Sequence, residues 1–260
     1  MTTRIIDDIV LEIEGDGDAV LCIHGLGGSS NSWTPVMAAL AGFKIIRPDL
    51  PGSARTGFVE GTVSIDSLVA AMDRLLSALD VESVHVVAHS LGTIVAQHLA
   101  VRHPGRVRSL ALFGPFPAPP EAGRPGILAR AALARTGAAG MQDIADTIVK
   151  AATSRETKAD QPAVLALVRE SVMRQPPEGY AKSCEALAAA QPAAIDAIRV
   201  PTLLVTGDQD GVAPPATVAS MAERMAGARQ VVLPGCGHWH TFEKPGACAQ
   251  ELERFLAASR

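Results

Sequence analysis

The stretch VHVVAHSLGTIVAQHLAVR at 84–102 decides how the rest of the chain is read. Residues 84–88 form a short valine-rich run without polar alternation, the pattern of a strand buried on both faces. Residues 92–102 are almost wholly apolar and long enough for a helix. A serine between such a strand and such a helix occupies a sharp elbow, with its hydroxyl held above the sheet edge. The flanking positions, Ala88 and Gly92, are small because strand and helix backbones nearly touch at such a turn. The plainer alternative, a serine that only caps the helix, is disfavoured by the strand before it and the helix after it.

Working outward, similar runs occur at 19–23, 44–47, 109–113, 202–206 and 230–233, each ending in glycine, proline or a polar turn. A further run at 9–13 precedes Gly15-Asp16-Gly17-Asp18, whose turn chemistry predicts an opening hairpin with 19–23. From Ser64, a plausible N-cap, Ile65, Leu68, Val69, Met72, Leu75, Leu76 and Leu79 recur at helical spacing. Helices are also expected at 214–225 and 245–258, each opening on a proline. Strands alternating with helices predict an α/β fold, a mostly parallel central sheet with helices on both faces. Between 116 and 194 the rhythm breaks. No strand-like run appears there, and helical patterns at 141–152 and 164–173 follow a proline-rich entry. The expected organisation is therefore a core over 1–115, a helical lid over 116–194 and the rest of the core over 195–260.

Composition supports a large buried core and narrows the function classes. Of the 260 residues, 48% are apolar and 19% charged, with a net charge of −4 and no block of like charge. That leaves no electrostatic footprint for nucleic acid or an anionic membrane. No stretch approaches the ~18 apolar residues of a membrane span, and acids interrupt the first eighteen residues where a secretory signal needs an apolar run. Cys22, Cys184, Cys236 and Cys248 show no regular spacing, so buried thiols in a reducing, cytoplasmic setting are expected.

A serine hydroxyl needs an adjacent base. Of seven histidines, His238 lies in Gly235-Cys236-Gly237-His238-Trp239, just after the last expected strand, where loops converge on the elbow. His85 falls inside a strand, and His98 and His103 lie along or past the helix that leaves Ser90. His240 is the near competitor. A metal site from Cys236, His238 and His240 would lack a fourth ligand. The base in turn needs a carboxylate to fix its tautomer, and Gly207-Asp208-Gln209-Asp210 offers two candidates after run 202–206. Serine, then acid, then histidine is the chain order this arrangement requires. His24-Gly25-Leu26-Gly27-Gly28 ends the first core run. Its glycines let backbone approach a substrate, which assigns an oxyanion hole to the Leu26 and Leu91 amides and substrate contacts to Gly25, Gly27 and Trp239. His24 itself is expected to stabilise the turn. Neither GxGxxG nor GxxxxGK[ST] is present, against a phosphate-cradling loop.

Together HGLGGSSNSW at 24–33, RPDLPGSARTG at 47–57, AHSLG at 88–92, GDQD at 207–210 and GHWHTFEKP at 237–245 resemble the α/β-hydrolase family. The resemblance implies that Asp210, the last residue of the GxxD pattern, is the acid, and that Leu26 supplies one oxyanion amide. The segments around Thr136-Gly137, Pro177-Glu178 and Cys184-Glu185 are similar to the lid of 3-oxoadipate enol-lactonases. Those enzymes open a small anionic lactone of aromatic catabolism. Two departures border the expected pocket: AHSLGT stands where they read GLSMGG, and Asp49-Leu50-Pro51-Gly52-Ser53-Ala54 where they read DxRGHG. The expected function is hydrolysis of a small ester or lactone through an acyl-enzyme, with no cofactor or metal required, and with lid arginines Arg130 and Arg135 placed to meet a carboxylate. Ser90 argues against halide displacement and epoxide opening, which use an aspartate at the elbow. A general carboxylesterase, a hydrolase of carbon–carbon bonds in meta-cleavage products and a perhydrolase keep the same triad. A receptor with little turnover is the alternative from another class.

Overall fold

The computed structural model describes residues 1–57 and 59–259. Eight strands form one sheet: β1 (Thr2–Ile6), β2 (Ile9–Glu14), β3 (Ala19–Ile23), β4 (Lys44–Pro48), β5 (Val84–His89), β6 (Val107–Phe113), β7 (Thr202–Gly207) and β8 (Arg229–Leu233). Their order is β1-β2-β4-β3-β5-β6-β7-β8, antiparallel at β1–β2 and β2–β4 and parallel elsewhere. The helices are α1 (Ile65–Ala78), α2 (Leu91–Arg102), α3 (Arg124–Ala134), α4 (Ala138–Ala152), α5 (Arg155–Asp160), α6 (Pro162–Met173), α7 (Pro177–Ala189), α8 (Pro215–Arg224), α9 (His240–Glu243) and α10 (Pro245–Ala258), with a long 3-10 helix at Ser30–Leu40.

Unalternating apolar runs mean strands covered on both sides, and the packing shows this residue by residue. Along β3, Leu21 and Ile23 join the cluster made with α1, α2 and α8, while Val20 and Cys22 face Trp33, Val36 and Leu40 of the 3-10 helix and Leu252 and Leu256 of α10. Ser64 caps α1 as expected, its hydroxyl accepting the Ser67 N–H and the Ser67 hydroxyl accepting its own N–H in return. Helices α3, α4, α6 and α7 between β6 and β7 hold a third cluster of their own around Met141, Ile144, Val172 and Tyr180. All four cysteines are buried and unbridged. Among the described residues no helix is long and apolar enough to cross a membrane.

One sequence expectation is corrected. The opening hairpin joins β1 to β2 and not β2 to β3; its turn is Asp7-Asp8, with φ of 48° and 62°. Two successive positive φ values are what a tight two-residue hairpin turn demands. Both edges of β3 are already taken by β4 and β5. Strand β2 instead pairs with β4, which sets Glu12 opposite Arg47 and closes a buried 2.8 Å ion pair between them. Gly15 and Gly17 pass tightly under the turn before β4: a Cβ on Gly15 would lie 2.2 Å from the Phe43 carbonyl oxygen.

Parallel strands all end at the same edge, so the loops after β3, β5, β7 and β8 gather there. The chain runs from β3 outward to β4 and then returns to β5 on the other side of β3. The crevice at such a reversal is where open α/β sheets bind ligands. Because Leu21 is fully buried in the centre of the sheet, Leu21→Ala is expected to lower unfolding free energy by about 2–5 kcal/mol. Val232→Ala on the exposed side of edge strand β8 should change it by under about 0.5 kcal/mol. Urea midpoints of the two variants check this.

Candidate active site

The elbow at Ser90 is built by steric exclusion. Ser90 has φ 51° and ψ −120°, a backbone state that costs on the order of 1–3 kcal/mol for a residue other than glycine. It persists because β3 passes directly beneath. A Cβ on Gly92 would lie 2.4 Å from the Ile23 carbonyl oxygen, and one on Gly25 would lie 2.8 Å from the Ser90 Cβ. The Ser90 N–H donates to the Phe113 carbonyl at 3.0 Å, and the Thr93 hydroxyl donates to the Ser90 carbonyl at 2.7 Å. Ala88, fully buried, fits where a larger side chain would not.

Two other loops reach the serine. His238 Nε2 stands 2.8 Å from Ser90 Oγ, and His238 Nδ1 stands 2.8 Å from Asp210 Oδ2. The other Asp210 oxygen accepts the N–H groups of Val212 (2.8 Å) and Ala213 (2.9 Å). Geometry thus separates the two aspartates that spacing left equivalent. Asp208 accepts the Cys236 N–H at 3.1 Å and only shapes the turn. Burial by itself pushes the Asp210 carboxyl up, but His238 and then His240 outweigh it and hold it well below the usual carboxylate range.

The remaining predicted residues fall where the sequence placed them or one step away. Leu26, Trp239, Ser90 and His238 share the wall of a cavity of about 420 Å³, lined also by Phe116, Ile127 and Ile148. Leu91 is the buried first residue of α2. Gly25 is pressed against Ser90, and Gly27, at φ 79°, abuts Val172 of α6. His24 is the turn residue expected: its Nε2 accepts the Leu50 N–H at 2.9 Å, and its Nδ1 hydrogen bonds the Gly25 carbonyl at 2.8 Å. Arg130 and Arg135 part company. Arg135 on the surface is tied to Glu178 and Glu185 at 2.9 and 2.6 Å, whereas Arg130 lines the cavity.

Sequence reasoning passed over two histidines. His89 Nε2 donates to the His238 carbonyl at 2.8 Å, and its ring lies 4.9 Å from that of His238. His240, fully buried, brings Nε2 to 3.4 Å from Asp210 Oδ2. Only the place of His89 beside the elbow serine hinted at the first, and His240 stood out only as a rival base. The burial of His89, with His238 and His240 beside it, drives its pKa well below the ordinary histidine value.

Residues 18–245 match the family described as alpha/beta hydrolase fold. A protein of Azorhizobium caulinodans named as a carbamate hydrolase candidate, RutD, is 39% identical over 106 residues, which span 40% of this chain and 40% of that relative's length. The enol-lactonase of Burkholderia xenovorans LB400 superposes with a TM-score of 0.87 at 27% identity, over 98% of this chain and 100% of that one. A thermophilic esterase from Thermogutta terrifontis gives 0.87 at 25% identity, over 96% and 94%.

The site generates a pH prediction. His24, through burial, and His89 both have folded pKa values below that of a free histidine. The unfolded chain therefore binds more protons below about pH 6.5, and stability falls as pH falls through that window. Asp49 and Asp210, both lowered, contribute stability above roughly pH 4 that is lost on further acidification. Urea midpoints should drop between pH 7.5 and 5.5 and again towards 3.5. In His89→Gln the first drop should shrink; an unchanged drop would show that His89 does not carry it.

Proposed function

This chain belongs to the α/β-hydrolase family, and from that premise we propose that it hydrolyses a small carboxylic ester or lactone through an acyl-enzyme on Ser90. The single observation that carries the reading is the unbroken relay Ser90 Oγ–His238 Nε2 and His238 Nδ1–Asp210 Oδ2, each contact 2.8 Å. In the first step Ser90 Oγ bonds to the carbonyl carbon while its proton passes to His238. The Leu26 and Leu91 amides stabilise the oxyanion, where the loss of one such donor costs on the order of a hundredfold or more in rate. Collapse breaks the carbon–oxygen bond, and the departing oxygen takes the proton from His238. In the second step His238 draws a proton from water, the hydroxide adds to the acyl carbon, and Ser90 leaves reprotonated. Asp210 stays ionised throughout and balances the imidazolium. Apart from the water consumed in the second step, the proton transfers use Ser90 and His238 alone.

The cavity supports an acid-bearing acyl group. Its walls are mainly apolar, and Arg130 on α3 is the cationic side chain among the described residues that line it. A lactone that carries a carboxylate, such as the 3-oxoadipate enol-lactone opened in aromatic catabolism, fits that pattern. Likeness to a solved enol-lactonase supports the same choice, and likeness to a solved esterase supports ester hydrolysis more broadly. A neutral short-chain carboxylesterase is the second reading, favoured by how much of the wall is aliphatic: Leu26, Ile127, Ile148, Leu187 and Val212.

Comparing kcat/KM for the enol-lactone and for 4-nitrophenyl acetate separates the two readings. Ser90→Ala should reduce turnover of either by roughly 10⁴–10⁶-fold. Arg130→Leu should raise KM for the anionic lactone at least tenfold and leave that for the neutral ester within twofold. Equal effects on both substrates would remove Arg130 from acyl recognition. Undiminished turnover in Ser90→Ala would end the acyl-enzyme mechanism.

A further inference from the structure

Beyond the relay itself, one buried carboxylate gathers four neutral donors from two separate parts of the chain. Glu243, at the end of α9, is 2% exposed. Its Oε2 accepts the Ser154 N–H at 2.8 Å, the Thr157 hydroxyl at 2.9 Å and the Gly237 N–H at 3.1 Å, while Oε1 accepts the Trp239 N–H at 3.0 Å. Gly237 and Trp239 are the residues on either side of His238. Ser154 and Thr157 belong to the turn between α4 and α5 and to α5 itself.

The same two segments touch elsewhere. The His238 N–H donates to the carbonyl of Ala152, the last residue of α4, at 2.8 Å. A Cβ on Gly237 would lie 2.7 Å from that carbonyl oxygen and 2.8 Å from the Ser154 nitrogen, so backbone lies directly on backbone. Beside the acid, Gln209 accepts the Arg155 N–H at 2.9 Å and donates to Glu156 at 2.6 Å. Meanwhile α4 gives Thr147, Ile148, Ala151 and Ala152 to the wall of the cavity.

We propose that Glu243 is a positioning residue that makes the α4 wall of the cavity and the His238 loop one mechanical unit. Where α4 stands decides where His238 Nε2 stands relative to Ser90 Oγ. A buried anion suits this task, because its two oxygens accept four bonds at once and leaving any of those buried donors unpaired is costly. Displacement of a catalytic group by about 1 Å is enough to cost on the order of a hundredfold in rate. The inference rests on the Ser90–His238–Asp210 reading for its kinetic consequence, but its geometric content does not.

Two variants on opposite sides of the carboxylate test it, with two readouts. Thr157→Val removes the donor from α5 to Glu243 together with the acceptor of the Ser154 hydroxyl, and lies outside both the cavity wall and the His238 loop; Thr157→Ser keeps the hydroxyl. Glu243→Gln replaces an accepting oxygen with an N–H₂ group that faces donors. The first readout is kcat per active site, with sites counted by a phosphonate burst on Ser90 and 4-nitrophenyl acetate as substrate. The second is the low-field proton resonance of His238 Nδ1–H against Asp210, which needs no turnover. The expected result is a tenfold or larger fall in kcat for Thr157→Val and Glu243→Gln, KM within twofold, and a broadened or shifted low-field proton. Thr157→Ser should restore both. A loss of thermal stability with kcat per site and the proton resonance unchanged would overturn the inference and leave Glu243 a structural anchor. Altered resonances in Thr157→Val and Glu243→Gln, in a protein whose wild type shows no Ser90-dependent turnover, would keep the linkage and instead remove the hydrolase reading.

Discussion

At the carboxyl edge of the sheet, the end of β3 and the turn after β5 run closer together than any side chain at Gly25 or Gly92 would allow. This backbone crossing holds Ser90 at a positive φ that a free serine would leave. It also dictates the sequence around it: Ala88 and Gly92 on one chain, Gly25 on the other. The strained serine in turn gives His238 a fixed partner, since a hydroxyl on a relaxed turn would sample positions well beyond 2.8 Å. Parallel pairing of β3 with β5 is what brings the two backbones together.

Around that crossing lies an unusual density of buried polar groups. His24, His89, His238, His240 and Asp210 are all buried. Burying them is tolerable only when they face one another or backbone, because an unpaired buried polar group costs a few kcal/mol. Most do so. His24 takes the Leu50 N–H, His89 reaches the His238 carbonyl, and Asp210 is met by His238 and two N–H groups. The outcome is that His238 is held by contacts on both its ring and its backbone. The Nδ1 contact comes from Asp210, while the backbone is held by the Ala152 carbonyl at the end of α4 on one side and by His89 at the end of β5 on the other.

Helices α3, α4, α6 and α7 have a cluster of their own, and α7 also joins the sheet's main cluster through Ala186 and Leu187. Tyr180, Val172, Ile144 and Met141 bury against one another and against Trp239 and Phe242 of the base loop. The third cluster therefore includes the loop that carries His238. The cavity and the His238 loop share a wall for that reason, and Arg130 lines the cavity from the same group of helices.

Much of this was legible in the amino-acid order, because strands buried on both faces leave unbroken apolar runs and amphipathic helices leave a stripe. The six runs from 19–23 to 230–233 became β3 to β8, and Ser64 capped α1. The elbow showed itself through the small residues it demands, and the histidine and acid followed from chain order. Edge pairing was not legible: Gly15-Asp16-Gly17-Asp18 has the chemistry of a turn whether its neighbours pair with each other or with a third strand. Asp7-Asp8 lacked the glycine that usually marks a tight hairpin. Spacing alone left Asp208 and Asp210 equivalent, the GxxD resemblance implied Asp210, and tertiary packing sets Asp210 against His238. Local periodicity and turn chemistry act over a few residues, so the sequence by itself determined the elements and the residue types at the elbow. Distances such as those from Glu243 to Ser154 and Thr157 join positions more than eighty residues apart, and only tertiary packing decides which of the chain's buried polar groups meet.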